Sequence, residues 1–566
     1  MASRRRARAA PGPDLAAREG LVAFVGGALL AAAMFWPLPL HIGGTTPKDL
    51  GDPLLQAWQV AWDGHALLHQ PFHFFQSNTF WPLNDSLAFS DALIGYTPAG
   101  LLGHGWKAAV ARYDVLFLFA YALAFAGSYL LAREAGVGWP AAVIAGVAFA
   151  YAPWKLEQNG HLHVISSGGI PLALFLLLRG YRRGAPWLVV TGFAVAAWQV
   201  SLGFTLGLQL LYLLAGGAAL GAVWLWRRRP ALDRRLLWAT LAGVALLMAV
   251  TAVLARPYLR VLHEYPESKR TIHQVAAYSP PLRSYLAASP QDLVWGKATA
   301  GMRRSLSSVP EQTLFPGVTI VLLALAGALA GPWRPRTRAA LVAATLLAAL
   351  CAMGLRLLDG RLTYRLLYDY APGWEGIRTP GRITVVTSLL LALLAGGGAQ
   401  WLLLRPRRRA VAALLAAILC IAMLAEGSAF GLGEPGRGAL SAPPEPRVPG
   451  PPPGQLGLPS PQLHLPVRTG REYEYMLWST EGFPRIVNGT SGFPPRFLRR
   501  LAIQVRGFPS RASVARLRSL GVRTVILHRD YAAGTAWSTW ARRSVRRLGV
   551  SRRERGGVVL YSLTAG

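Results

Sequence analysis

This sequence is short of charge, shorter still of acid, and nearly without cysteine. Only 15% of its 566 residues are charged, whereas 53% are hydrophobic. A soluble chain needs more charge than that to cover its surface, so the apolar excess points to a bilayer, as does the mean hydropathy of +0.33. Cys351 and Cys420 are the two cysteines, and both lie inside apolar runs. They can build neither a disulfide framework nor a thiolate metal site. Acids number 26 against 59 Lys and Arg, a formal charge of +33. Such a balance would suit nucleic acid if the arginines shared one soluble domain. Instead they fall in short clusters between apolar runs, as membrane topology determinants do. No nucleic-acid partner is expected.

The apolar runs are what remains. The first, "LVAFVGGALLAAAMFWPLPL" at 21–40, follows the basic "MASRRRARAA". It exceeds a signal-peptide core of about 7–15 residues and is not closed by an A-x-A-like cleavage site. We read it as a retained helix. Comparable runs recur near 114–132, 140–154, 168–179, 186–200, 203–226, 236–255, 314–332, 338–356, 383–404 and 410–430. The expected fold is therefore an all-α polytopic membrane protein with about 11 transmembrane helices.

The connecting loops alternate in character. "RRRAR", "RE", "RGYRRG", "RRRPALDRR", "RPRTR" and "RPRRR" form one set. The other loops, 41–113, 155–167, 257–313 and 357–382, are long or poor in clustered arginine. The excess of positive charge in cytoplasmic loops puts the first set inside. The expected order is a basic cytoplasmic N-terminus (1–20), a membrane domain (21–430), a Pro/Gly-rich linker (431–464) and an external domain (465–566). In that last part "SRASVARLRSLG" has helical periodicity, while "VRTVILH" and "GGVVLYSL" read as strands. A small external α/β domain follows. "NGT" at 488–490 matches a glycosylation acceptor.

The spans carry almost no ionisable side chains; only Glu426 lies well inside one. Ion-coupled transport needs such groups near the midplane, so it loses most of its support. The chemistry belongs to the external loops. In "TTPKDLGDPLLQAWQVAW" at 45–62, Asp49 and Asp52 follow the first run directly. Asp52 reads as an N-cap with Pro53 at the first helical position. Leu54, Trp58, Trp62 and His65 then share one face, so 53–69 is expected to lie as an amphipathic helix along the interface. Capping does not account for Asp49, nor for Asp91 in "LAFSDAL". "KLEQNGHLHVISS" adds Glu157, His161 and His163, a His-x-His spacing that is weak as a metal signal. "EGIRTPGRITVV" supplies Arg378 and Arg382, whose forked guanidinium groups suit a phosphate or a lipid headgroup.

Together, "GDPLLQAWQVAWDGHALL", "FWPLNDSLAFSDAL" and "FAYAPWKLEQNGHLH" resemble the GT-C superfamily of membrane glycosyltransferases, closest to large bacterial multi-pass proteins of that fold. The resemblance covers roughly 20–430, with its motifs before 170. It implies a polyprenyl-phosphate sugar donor in the bilayer of the bacterial inner membrane. It also implies an envelope glycan, lipid or protein acceptor. A loop carboxylate, Asp52 or Asp49, would act as general base in an inverting transfer. Asp91, Glu157, His161, His163, Arg378 and Arg382 would bind substrate. Protein mannosyltransferases carry an adjacent Asp-Glu pair here, whereas this chain has Asp-x-x-Asp, so the identity of the base stays open. A divalent cation also stays open, with no metal ligands assigned. The alternatives are a non-catalytic scaffold of the same fold and a lipid or polysaccharide flippase.

The loop alternation makes a direct prediction. Reporter fusions at residues 230 and 470 should report opposite sides of the membrane, the first cytoplasmic and the second external. Both on one side would overturn the arrangement.

Overall fold

The computed structural model describes residues 17–229, 233–427, 446–467, 470–540 and 542–563. Most of the basic N-terminus and the first part of the expected linker lie outside these residues. Each apolar run falls on a helix: Ala17–Met34, Gly105–Glu134, Trp139–Ala150, Gly169–Arg183, Pro186–Leu202, Phe204–Arg228, Arg234–Glu264, Val318–Ala330, Pro335–Ala352, Thr384–Leu403 and Arg409–Gly427. Among the described residues, 8 helices are long and apolar enough to cross a membrane. Pro186–Leu202 and Val318–Ala330 are apolar but shorter.

The chain forms two compact units that do not follow chain order. The first comprises Met1–Pro39, Leu116–Val253 and Arg270–Pro444; the second comprises Leu40–Val115, Leu254–Lys269 and Glu445–Gly566. The external domain expected from 465 onward is thus only part of the second unit, which also takes in the first long loop.

In the first unit, Val318–Ala330 and Thr384–Leu403 approach at backbone distance. A Cβ added to Gly327 would stand 1.9 Å from the Leu394 carbonyl oxygen, and one on Gly398 would stand 2.0 Å from that of Leu323. Only glycine fits there, the small-residue packing that lets apolar helices associate without water to drive them. Glu426 accepts from the Thr319 amide at 3.0 Å and from its hydroxyl at 3.1 Å. The one acid well inside a span therefore caps the start of the Val318–Ala330 helix, where orphan amides favour an anion.

The second unit is organised by a four-stranded sheet of order β1-β2-β4-β3. The strands are β1 (Gln462–Leu465), β2 (Thr524–His528), β3 (Ser551–Arg555) and β4 (Val558–Ser562). β1 and β2 are parallel, and the other pairs are antiparallel. β2, β4 and the helix Arg511–Ser519 match the sequence reading, and Ser510 and Ser513 close that helix with a reciprocal capping box. β1 and β3 were not anticipated. β1 is four residues between Pro461 and Pro466, and β3 is "SRRER", a charged edge strand that resists pairing with other chains. Leu463, Leu465, Val525, Leu527, Val559 and Tyr561 meet Leu501, Phe508 and Leu517 in the core.

Segment 78–81 is stitched to 486–488. The Ile486 amide donates to the Asn78 carbonyl at 2.7 Å, the Trp81 amide to Ile486 at 3.0 Å and the Phe80 amide to Asn488 at 3.1 Å. Asn488, the acceptor of the "NGT" motif, is fully buried. Its side chain accepts from the His464 amide at 2.7 Å and donates to the His464 carbonyl at 3.0 Å, clamping β1. This asparagine is a structural clamp, and it is not accessible for glycosylation.

The helix Asp52–His69 forms as expected, but it is not an interfacial helix with one face open. Pro53 through Gly64 are all buried, Gln56, Gln59 and Asp63 included. Trp58 donates its indole N–H to Asn78 at 3.1 Å, and Trp62 donates to the Phe74 carbonyl at 3.1 Å. Their amphipathic rings serve protein acceptors instead of lipid headgroups. Gly64 meets Gly100 so closely that a Cβ would stand 2.2 Å from the Gly100 carbonyl carbon. The period-four pattern hid this arrangement, because a helix sealed on its polar side by glutamines and partner carbonyls has the same spacing as a surface one.

Asp63 is the anomaly. It is fully buried, and neither carboxyl oxygen has a hydrogen-bond partner. Burial raises it well above its ordinary 3.8. A folded-state value above the unfolded one means the native state holds the extra proton, so stability falls as pH rises above the unfolded-state value. Asp63→Asn removes the ionisation. The variant should melt higher than wild type at pH 8 and close to it at pH 4.5 in thermal unfolding. Parallel pH profiles in the two proteins would refute this.

Candidate functional site

Asp49, Asp52 and Asp91 belong to the second unit; Glu157, His161, His163, Arg378 and Arg382 belong to the first. Each group is described within its own unit.

Asp49 is exposed, and its Oδ1 accepts from the Gly51 amide at 2.8 Å, an Asx turn that fixes the carboxylate. Asp52 is not the N-cap. Gly51 holds that position, no side chain caps the helix, and Asp52 is the first helical residue with Pro53 after it. Pro53 and the Asx turn together set the helix start, so capping does not need Asp52. Its half-buried carboxylate instead accepts from the Tyr473 hydroxyl at 3.3 Å. Burial, then the charge of Asp52 and more weakly of Asp49, pushes the Tyr473 phenol up to about 12. It therefore stays a neutral donor at any physiological pH. A Cβ on Gly51 would meet Asp49 Oδ1 at 3.0 Å and the Tyr473 ring at 3.9 Å, so these groups crowd one spot.

Asp91 is half-buried, and its backbone carbonyl accepts from Gln59 Nε2 at 2.9 Å. That glutamine comes from the helix Asp52 begins. Tyr473 was missed because it lies 421 residues from Asp52, and nothing local in "REYEYMLW" signals the pairing.

In the first unit the expected arginine fork exists, but a carboxylate already occupies it. Arg382 binds Glu311 through Nη2 at 2.6 Å and Nε at 3.3 Å, and its Nη1 donates to His163 Nε2 at 3.0 Å. Burial would raise the Glu311 carboxyl, but Arg382, with His161 and His163, pulls it down to about 2. Because guanidinium only donates, His163 Nε2 must be its unprotonated nitrogen. His161 Nδ1 lies 2.9 Å from Gln158 Oε1, and Gln158 donates to the Pro310 carbonyl at 2.7 Å. Glu157 is buried and accepts from the Ser289 hydroxyl. Arg378 instead stacks over the Tyr278 ring at 5.2 Å.

Glu157, His161, His163 and Arg382 are thus committed to protein partners. Among the described residues no three His, Cys, Asp or Glu side chains are grouped as metal ligands. Glu311, in "SVPEQTLF", escaped notice; the signal was the test that found Asp49, an acid at the mouth of an apolar run. Lys155 was also missed. Burial pushes its ammonium down to about 7. It donates to Ser167 Oγ at 3.0 Å between the rings of Phe149 and Tyr121.

Arg382→Gln should leave Glu311 buried and unpaired, at a cost of about 3–5 kcal/mol. Adding Glu311→Gln should recover much of that loss in thermal unfolding of the purified protein. A double variant no more stable than the single one would show that the pair does not hold these loops.

No protein-family description matches this sequence, and no curated protein matches it. Solved structures do match. The chain is similar to arabinofuranosyltransferase AftD from Mycobacteria, at 16% identity and a TM-score of 0.55, covering 98% of this chain and 40% of that one. A mutant form of AftD gives 15% identity and a TM-score of 0.57, covering 98% and 42%. An oligosaccharyltransferase from Archaeoglobus fulgidus gives 15% identity and a TM-score of 0.46, over 95% and 73%. This chain spans about two fifths of AftD's length and shares its architecture over almost all of its own. It shares the GT-C fold of AftD, with a small C-terminal sheet.

Proposed function

We propose that the protein transfers a sugar from a polyprenyl-phosphate donor to an envelope glycan, lipid or protein on the external face of a bacterial inner membrane. In this reading the N-terminus is cytoplasmic and the second unit is external. One observation carries the proposal. Asp52 starts a rigid, buried helix, is aimed by a neutral Tyr473 donor, and stands beside the exposed carboxylate of Asp49. A base placed on a rigid element is held more accurately than one on a loop. The acceptor hydroxyl gives its proton to Asp52 as its oxygen bonds to the anomeric carbon. The bond from that carbon to the phosphate oxygen breaks, and polyprenyl phosphate leaves with the electron pair. Attack opposite the leaving group inverts the anomeric configuration.

Asp49 is the alternative base, and Asp91 is proposed to position substrate near it. Arg378 is proposed to meet the phosphate. Glu157, His161, His163 and Arg382 are proposed to shape the donor pocket through the Glu311 cluster rather than to touch the sugar. A scaffold of the same fold rests on a different observation, that Asp49 and Asp52 each have a structural hydrogen bond already.

Asparagine separates the readings. Asp52→Asn keeps the Tyr473 hydrogen bond and the helix start but cannot take a proton. Transfer in membranes lacking the wild-type gene should fall by about 10²–10⁴, with normal expression and insertion. Tyr473→Phe should shift the acidic limb of the pH–rate profile upward while keeping most of the maximal rate, because a carboxylate loses a donor. Full transfer by Asp49→Asn, Asp52→Asn and the double variant would leave the scaffold as the reading.

A further inference from the structure

The Glu311 cluster leaves one feature of the first unit unused. A cavity of about 650 Å³ opens beside residues 272–276 and 355–370, and Arg356, Arg361, Arg365 and His273 line it against Asp359 and Asp369. Three arginines against two aspartates leave it basic. Arg365 pairs with Asp369 at 2.8 Å, whereas Arg361 reaches Asp359 only at 4.0 Å, with both side chains about four-fifths exposed. Arg356 is held by its Nε donating to the Ser279 carbonyl at 3.2 Å.

Along the same segment Leu358, Leu362, Leu366 and Tyr370 recur every four residues. They are 65%, 73%, 48% and 79% exposed. Four large, exposed apolar side chains on one short segment need a cover. The segment begins six residues after the Pro335–Ala352 helix, one of those able to cross a membrane. Six residues of chain reach at most about 20 Å, so Leu358 stays within reach of the bilayer surface. An exposed apolar segment interleaved with arginines at that depth has the composition of an interfacial anchor.

We propose that this cavity receives the phosphate headgroup of an anionic bilayer phospholipid, with the exposed apolar side chains of segment 358–370 resting among its acyl chains. The arginines supply the positive field and the forked donors for the phosphate oxygens. The lipid is an anchor for loop 355–370, not a substrate, and the inference does not depend on the transferase reading.

The test uses the full chain in a neutral detergent, with short-chain phosphatidylglycerol, short-chain phosphatidylcholine and inorganic phosphate as probes, read by native mass spectrometry. Phosphatidylglycerol should bind best. Arg361→Gln with Arg365→Gln should weaken it about tenfold or more, and Leu362→Ser with Leu366→Ser should weaken it as well. All four positions are substantially exposed, so thermal unfolding should be unchanged. Equal binding of phosphatidylglycerol by wild type and the arginine double variant would overturn the proposal. So would inorganic phosphate competing as well as the lipid, which would mark a free-anion site. Displacement of phosphatidylglycerol by equimolar polyprenyl phosphate would also overturn it, by making the cavity a donor site.

Discussion

Asn78 is the point on which the second unit turns. Its side-chain carbonyl accepts from the Trp58 indole, and its amide donates to Ser479 and to the Pro484 carbonyl, each at 2.9 Å. Its backbone carbonyl accepts from Ile486. One buried residue thus ties the helix begun by Asp52 to a segment some 400 residues later. That tie sets the Asp52–His69 helix against Glu472–Trp478, where Tyr473 reaches Asp52. Its side-chain carbonyl and both amide hydrogens are engaged, so replacement leaves buried donors or acceptors stranded on both sides. The position of the proposed base is a consequence of long-range polar satisfaction more than of its own loop.

The same scarcity of charge governs the first unit. Apolar helices that pack at glycine contacts such as Gly327 and Gly398 have no room for ionisable side chains, and the few acids are turned to structural work. Glu426 caps a helix, and Glu311 holds Arg382. A group pulled to about 2 by an arginine and two histidines is a poor base, so Glu311 organises loops rather than moving protons. Asp292 is different: burial, opposed by amides of Trp295 and Val294 and reinforced by Glu426, brings it up to about 6.

Much of this was legible from residues alone where the determining forces are local. Hydropathy located the long apolar helices among the described residues, because burying backbone in lipid demands a continuous apolar run. The periodicity of "SRASVARLRSLG" and the β-branched "TVILH" marked a helix and a strand for equally local reasons. Most of the failures share one cause. The burial of Trp58, the occupied fork of Arg382 and the strand Gln462–Leu465 depend on partners elsewhere in the chain. No periodicity records those partners. The Asp-x-x-Asp spacing was visible, but Pro53 and the Asx turn at Asp49 decide which acid begins the helix, and Tyr473 decides how it points.

If this chain consumes a lipid-linked sugar, as proposed, the lipid pool changes when it is lost. Membranes from cells lacking the gene should be compared with wild type, and with cells carrying Asp52→Asn, by mass spectrometry of polyprenyl-phosphate species and envelope glycans. One polyprenyl-phosphate sugar should accumulate and one glycan or glycolipid product should disappear, identically in the deletion and the Asp52→Asn strain. Unchanged donor and product pools in both strains would contradict the proposal.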